Sequence, residues 1–313
     1  MSLFSNAQTT FTYNSLTNAE DVSDVIANIA PTDTPFLSAL KKTKASNTLH
    51  EFITDSLATA ANNAQLEGDT FAAGTRPTPV RLNNRTQISY KVVAVTGTQM
   101  ASNGYGMKNM LAYQMANASK EIKRDQEVAL TQNNVTVAGN STTARQLRGL
   151  EGWMVTNANY GSGGSAGAYS GGNTAPTDGT QRAFTEAQLK DVLQQAYTQG
   201  GNPTMIMVGP SQKQTFSTFT GNATRMKDAD NQLVAGVSVY VSDFGTLKVV
   251  PNRFQRARTA FVLDMDYWAL AELRAPMMTD LPSTFDGYGK ALVTEYTLEA
   301  KQEKSSGAIR DLL

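Results

Sequence analysis

Apolar residues recur at three- and four-residue spacing from about Tyr105 to Thr131, at Met107, Met110, Leu111, Met115, Ala118, Ile122 and Ala129. Lys120, Glu121, Lys123, Arg124, Asp125 and Glu127 fill the opposite side. This is the pattern of an amphipathic helix; at 1.5 Å per residue it would span roughly 40 Å. Ser102 or Asn103 is the expected cap, and the methionine stripe is read as core. A shorter helix is expected earlier, with Thr17 or Asn18 as its cap, Val22, Val25, Ile26 and Ile29 on its apolar side, and Pro31 as its stop. A further helical turn should open at Thr34-Pro35-Phe36-Leu37.

Between these helices the period changes from 3.6 to 2. Thr48–Ile53 leads out as a strand, and Gln87–Val95 comes back as another. The intervening stretch is rich in Ala, Asn, Gly and Thr, carries Pro77 and Pro79, and has almost nothing large and apolar. An isolated two-stranded ribbon is marginal in water, and a long structureless tip is unusual within a compact domain. Residues 45–98 therefore read as an arm that buries itself on a neighbouring chain.

The second half has a different texture. Residues 139–182 are a Gly/Ser-rich insertion, with Leu150-Glu151-Gly152-Trp153 as an anchored patch. Thr185 and Gln188 form a capping box for a helix carrying Leu189, Val192, Leu193, Ala196 and Tyr197, which Gly200-Gly201-Asn202-Pro203 ends. Met205–Val208 reads as a buried strand, and Pro210 opens a helix bearing Phe216 and Phe219. Val237, Val239 and Val241 alternate with polar residues, turn at Asp243-Phe244-Gly245 and return through Leu247 and Val249 as a hairpin. Phe261–Leu263 is a strand. A long closing strand puts Leu292, Thr294, Tyr296, Leu298 and Ala300 on one face and Val293, Glu295, Thr297, Glu299 and Lys301 on the other. The fold class is α+β, with a helix–strand unit inserted between the long helix and the closing strand.

Composition then removes function classes. The chain has 313 residues, 27 Lys+Arg against 27 Asp+Glu, and no Cys. A net charge of zero argues against a dedicated nucleic-acid binder. Absence of Cys removes disulfides, thiolate metal sites and a Cys nucleophile. The first thirty residues carry neither the charged nor the apolar region of a signal peptide, and no apolar run reaches membrane-spanning length. His50, the only histidine, sits in the outgoing strand, where a structural or interfacial role is expected. Asp264 and Asp266, and Asp228 and Asp230, are pairs that read as turn and loop positions; no third ligand stands near them. The glycines at 161–167 lack the Lys-Ser/Thr ending of a phosphate loop. No catalytic, cofactor or metal site is expected. The arginines (Arg145, Arg148, Arg182, Arg253, Arg256 and Arg258, besides those on the arm) are expected to pair with carboxylates across subunit interfaces. The candidate assembly residues are Phe4, Phe11 and Tyr13 in the polar N-terminal tail, and Phe71, Arg76, Arg81 and Arg85 on the arm.

The order of polar tail, short helix, two-stranded arm, long helix, inserted unit and closing strand resembles the major capsid proteins of tailed double-stranded DNA phages, with the Hong Kong 97-type fold. The stretches Asp24–Phe36 and Tyr296–Ala300, with Gly307 beyond, look like one large branch of such head proteins. The resemblance implies an N-terminal arm at 1–44 and an extended loop at 45–98. It places a peripheral domain with the long spine helix at 99–150 and 285–313, and an axial domain at 151–284. It also implies self-assembly into pentamers and hexamers of an icosahedral shell around the genome, in a virion assembled in the bacterial host cytoplasm. Expected partners are a separate scaffolding protein, a portal, a cement protein and weak, non-specific contact with packaged double-stranded DNA, with no membrane and no cofactor. The N-terminus is expected to be unprocessed. In the type member a lysine on the extended loop forms an isopeptide bond with an asparagine of a neighbour; here no lysine lies between Lys44 and Lys91, so a shell without covalent cross-links is expected. Two alternatives stand beside this reading: an encapsulin-like compartment of the same fold, and an arm-swapped oligomeric enzyme or binding module.

Overall fold

A computed structural model describes residues 32–70, 74, 76–102, 109–219, 238–282 and 286–313. The helix expected at 22–29, the start of the long helix, Val237, Asp228 and Asp230 lie outside the described residues. In chain order the elements are α1 (Pro35–Ala39), β1 (Lys41–Lys44), β2 (Leu49–Thr54), β3 (Val80–Arg85), β4 (Gln87–Thr96), α2 (Gly97–Ala101), α3 (Met110–Thr131), α4 (Leu150–Trp153) and β5 (Ala158–Asn159). They continue with α5 (Glu186–Thr198), β6 (Met205–Val208), α6 (Pro210–Phe216), β7 (Val239–Ser242), β8 (Gly245–Pro251), β9 (Ala260–Leu263), β10 (Trp268–Asp280), β11 (Gly287–Ala300) and β12 (Gly307–Ile309).

The strands form a four-stranded sheet in the order β1-β10-β11-β4, a six-stranded sheet in the order β5-β12-β9-β6-β8-β7, and the two-stranded ribbon β2-β3. The long helix α3 covers one face of the first sheet. Its cap is Asn109, whose Oδ1 accepts from Ala112 N at 3.0 Å, rather than Ser102 or Asn103. Ser102 instead closes α2, donating through its hydroxyl to Thr98 O at 2.8 Å. The phase of α3 is the one its sequence predicts. Met115, Ala118 and Ile122 pack on Val93, Val95 and Leu292, and Ile122 is 2% exposed. Ile122→Ala should therefore destabilise the subunit by about 2–5 kcal/mol, the usual cost of a large-to-small change that leaves a cavity. A urea titration of the unassembled variant measures it, and a cost near zero would contradict this packing.

Three further elements depart from the sequence expectation. First, strand pairing joins stretches far apart in the chain, which local periodicity does not foretell. β1, from the expected N-terminal arm, pairs in parallel with β10, while β4, from the expected loop, forms an edge of the first sheet on β11. β10, expected in the inserted unit, runs antiparallel to β11 along most of its length, and β12 crosses back to pair with β9. A 3₁₀ turn at Met265–Tyr267, capped by Asp264, is where the chain passes between sheets. Second, in the hairpin β7-β8 the inward residues are Tyr240, Leu247 and Val249, while Val239 and Val241 face out. The single large aromatic fills the space beside Phe216, at a ring separation of 5.6 Å, which the smaller valines could not. Third, both faces of β11 are covered: Glu295, Thr297 and Glu299 are as buried as Leu298 and Ala300.

The α1–α3–β8 junction is held by one carboxylate. Glu127 of α3 accepts from the backbone N–H groups of Phe36 at 2.9 Å and Leu37 at 2.8 Å, and from Asn252 Nδ2 at 2.6 Å. Burial pushes its pKa above the ordinary carboxylate value, and the three donors act against that rise. Close backbone approach also matters at Gly149, where a Cβ would stand 2.1 Å from the carbonyl oxygen of Gln132. A side chain there would push α4, with its buried Leu150 and Trp153, off the end of α3.

Candidate assembly interface

The ribbon β2-β3 is built in two parts with opposite character. Its base is stitched to the body. Phe52 and Leu82 are buried in the main core, and the Phe52 ring lies 5.7 Å from that of Trp153. Asn84, fully buried, donates through Nδ2 to the carbonyls of Leu298 at 2.8 Å and Arg148 at 3.2 Å, and accepts from Arg148 N at 2.8 Å. Thr86 donates to Glu295 at 2.8 Å. His50 Nε2 stands 3.5 Å from the Glu299 carboxylate, which accepts a hydrogen bond from Thr43 at 2.9 Å; the approach of His50 first, then the Thr43 hydroxyl, holds the Glu299 carboxyl below its ordinary pKa. The lone histidine is thus a structural tie at the arm's base.

Among the described residues the arm beyond Thr54 has no such ties. Every described residue from 55 to 80 is exposed. Leu57 and Leu66 are 94% and 81% exposed, and a hydrogen bond of 3.4 Å from Gln302 Nε2 to Asp55 O is the last link to the body. Large aliphatic side chains in this state each forgo about 1.5–3 kcal/mol of burial free energy.

The expected assembly residues separate accordingly. Arg76 is exposed on the arm; Arg81, also exposed, lies 3.6 Å from Glu51 across the ribbon. Arg85 is half-buried at the base, without an ion-pair partner among the described residues. Phe4, Phe11, Tyr13 and Phe71 lie outside the described residues. Several arginines of the body pair within their own chain. Arg145 and Arg274 both reach Glu295, at 2.5 and 3.0 Å. Arg256 bridges Glu151, at 2.9 Å, and Asp178; Arg258 bridges Asp178 and Asp311, at 3.2 and 2.8 Å. Arg148 and Arg182 bind neutral acceptors of their own chain. The reason is the Gly-rich segment, which folds back as a packed layer. Gly161 and Gly179 donate to the Asp311 carboxylate at 3.0 and 2.9 Å, which brings Asp178 to the arginines.

A second candidate surface has no counterpart in the expected residues. β4 is an edge strand, and on the sheet face away from α3 it exposes Ile88, Tyr90 and Val92, with Met277 of β10 on the same face through the shared partner Val293. Tyr90 is 65% exposed. The signal was present in the strand itself: Ile88, Tyr90, Val92 and Ala94 alternate with Val93 and Val95, so both faces are apolar and both call for cover. A ten-residue edge strand of this kind also presents unpaired backbone groups.

Asp264 spends its carboxylate on the backbone N–H groups of Asn202 and Asp266, at 3.1 and 3.3 Å, as a turn residue does. Among the described residues no group of His, Asp and Glu could hold a metal ion, and no helix is long and apolar enough to cross a membrane.

Comparison with known proteins gives a consistent picture. The family model described as SU10 major capsid protein matches residues 4–313. The major capsid protein of Escherichia phage Phieco32 is 28% identical over 324 aligned positions, covering 91% of each chain. Among solved structures, the capsid asymmetric unit of cyanophage A-1(L) superposes with a TM-score of 0.67 at 16% identity, covering 96% of this chain and 98% of that one. A chain of Mycobacterium phage Adephagia gives a TM-score of 0.60 at 12% identity, covering 97% and 98%. At these identities the structural likeness speaks for the fold, a phage capsid fold of the Hong Kong 97 type.

Proposed function

The chain belongs to the SU10 major capsid protein family, and from that premise we propose how its parts divide the work of building a shell. It is a structural subunit of a phage capsid, not an enzyme, and it acts as one of many identical copies in the virion. The α3-covered sheet β1-β10-β11-β4 is the peripheral body and the six-stranded sheet is the axial one. The arm beyond Thr54 lies across a neighbouring copy, on the apolar sheet face of Ile88, Tyr90, Val92 and Met277, and the N-terminal tail with Phe4, Phe11 and Tyr13 adds a second tie. Copies close into pentamers and hexamers in the host cytoplasm around a separate scaffolding protein and a portal, with a cement protein outside and packaged double-stranded DNA inside. A subunit with 27 basic and 27 acidic residues lines that cavity without gripping the DNA.

The observation that carries this reading is the exposure of every described residue from 55 to 80, Leu57 and Leu66 included, in a chain whose described body is otherwise well packed. Electron microscopy with sedimentation of the purified protein tests it. Icosahedral particles of hundreds of copies are expected; a species that stops at dimer to hexamer would overturn it.

The shell should hold without covalent welds. Lys44 and Lys91 flank the arm, and the described tip residues contain neither an amine nor a substitute for one, since a guanidinium stays protonated. Lys91 is engaged with Asp125 at 2.9 Å and Glu121 at 3.8 Å. The hydrogen bond to Asp125 raises its pKa, so the neutral amine needed for attack is scarcer still. Boiled mature particles on a denaturing gel should give one band near 33.7 kDa, and a ladder of covalent oligomers would contradict this.

A further inference from the structure

We propose that a cationic cavity at the arm's base receives the acidic turn Glu67–Gly68–Asp69 from the arm tip of a second copy. The proposal rests on the shell-subunit reading above and adds to it the residues that meet. The cavity, about 250 Å³, lies between β3, which supplies Asn83 and Arg85, and the loop layer, which supplies Arg148, Tyr169 and Asn173. Its eight lining residues include two guanidinium groups and no carboxylate. The carboxylate recorded on a lining side chain is that of Glu303, which accepts from the Tyr169 hydroxyl at 3.0 Å and is also taken by Thr156.

Arg148 is 2% exposed, yet all its acceptors are neutral: the carbonyls of Gly152 and Ala168, each at 3.1 Å, that of Thr174 at 3.4 Å, and Asn173 Oδ1 at 2.6 Å. This sets it apart from Arg145, Arg256, Arg258, Arg274 and Arg310, each of which has a carboxylate of its own chain. The Arg148 guanidinium, 5.7 Å from the centre of the Trp153 ring, thus has no carboxylate among the described residues, and burial lowers its pKa. Arg85 lines the same cavity, also without an ion-pair partner among the described residues. A concave site with low-dielectric walls focuses such a field. Arg–carboxylate pairing there would be charge-assisted and geometrically specific.

The arm tip offers the complement. Asp69 N donates to Leu66 O at 3.2 Å, and Gly68 takes the left-handed conformation, φ +82°, so the chain reverses and presents Glu67 and Asp69 outward. Both side chains are exposed, and neither has an ion-pair partner among the described residues. The twelve residues that follow Thr54, ending at Leu66, reach about 40 Å at full extension, enough to cross a neighbouring subunit. A tip-to-base contact is heterologous, with different patches meeting, which is the arrangement that closes rings.

Charge exchange in the full-length chain tests this, with assembled fraction read by sedimentation velocity and fold by circular dichroism. Arg85→Glu should lower the assembled fraction at least tenfold, and Glu67→Arg with Asp69→Arg should do the same. The triple variant should recover most of the loss. Asp69 Oδ1 accepts from its neighbour Thr70 N at 2.8 Å, and among the described residues neither Glu67 nor Asp69 has a side-chain partner outside the arm, so the tip variant remains informative if Arg85→Glu folds poorly. Wild-type particles together with normal assembly of the tip variant would overturn the proposal alone, as would a triple variant no better than the worse of its parents. A wild-type chain that forms no particles would overturn the shell reading and the proposal with it.

Discussion

Removing residues 60–80 should leave a folded subunit that no longer makes shells. All of the described residues in that span are exposed, and the strands that anchor the ribbon (Leu49–Thr54 and most of Val80–Arg85) lie at or beyond the cut. The body therefore loses none of its core: Phe52, Leu82 and Asn84, which carry the contacts to Trp153, Leu298 and Arg148, all remain. What is lost is the surface that a neighbour would bury. Obligate interfaces commonly bury about 2,000 Å² or more, and an arm of this length is a large share of such an area. Sedimentation of the deletion variant should show a monomer or small oligomer in place of particles, with helix and strand content unchanged by circular dichroism. Normal shells would sink the assignment of the arm as the assembly element. An unfolded product would show instead that the ribbon's base depends on its tip, contrary to the contacts described above.

Glu127→Ala should be the most damaging point substitution in the body. The carboxylate accepts from three donors on two parts of the chain: Phe36 N and Leu37 N at the start of α1, and Asn252 Nδ2 after β8. Alanine removes the acceptor of both backbone donors and leaves Asn252 Nδ2 only the weak acceptor Met207 Sδ at 3.2 Å, and a buried orphaned donor costs about 1–3 kcal/mol. Because the native carboxyl is itself held above its ordinary pKa by burial, part of that loss is offset by relief of its desolvation. The expected net cost is about 3–5 kcal/mol, which falls in the range reserved for broken buried networks. Glu127→Gln keeps one acceptor oxygen but turns an amide N–H toward Leu37 N, so it should cost less than alanine and more than zero. Chemical denaturation of the unassembled subunits gives both values. Equal stability of wild type and the alanine variant would mean that α1 is not held through this carboxylate.

The body of the protein was legible in its sequence wherever the deciding interactions are local. The spacing of Met115, Ala118 and Ile122 set the phase of α3, and the Thr185/Gln188 capping box opens α5 as expected. The strand Met205–Val208 is buried on every residue, as an unbroken apolar run with Gly and Pro at its borders implies. The arm was legible for the opposite reason, since a stretch without large apolar residues cannot make a core of its own. Neutral charge and the lack of Cys had already turned attention from chemistry to assembly.

Tertiary structure alone decided the rest. β1 is Lys-Lys-Thr-Lys, a sequence with little strand tendency. It becomes a strand because β10, more than 200 positions away, offers a parallel ladder, with Asp266 and Glu272 to receive Lys41 and Lys42 at 2.7 and 2.9 Å. The crossings between sheets at Met265–Tyr267 and before Gly307 depend on which backbone edges lie free once the first strands have paired. The partners of the arginines follow from how the Gly-rich layer folds back on the C-terminal strand, and Glu127 became a keystone only when α1 and Asn252 met it. Local periodicity reports how a segment buries its own side chains. It does not carry the identity of a partner a hundred residues away, because that choice is made by the packing of whole elements, and ion pairs and buried donors are settled by the position of the last group to arrive.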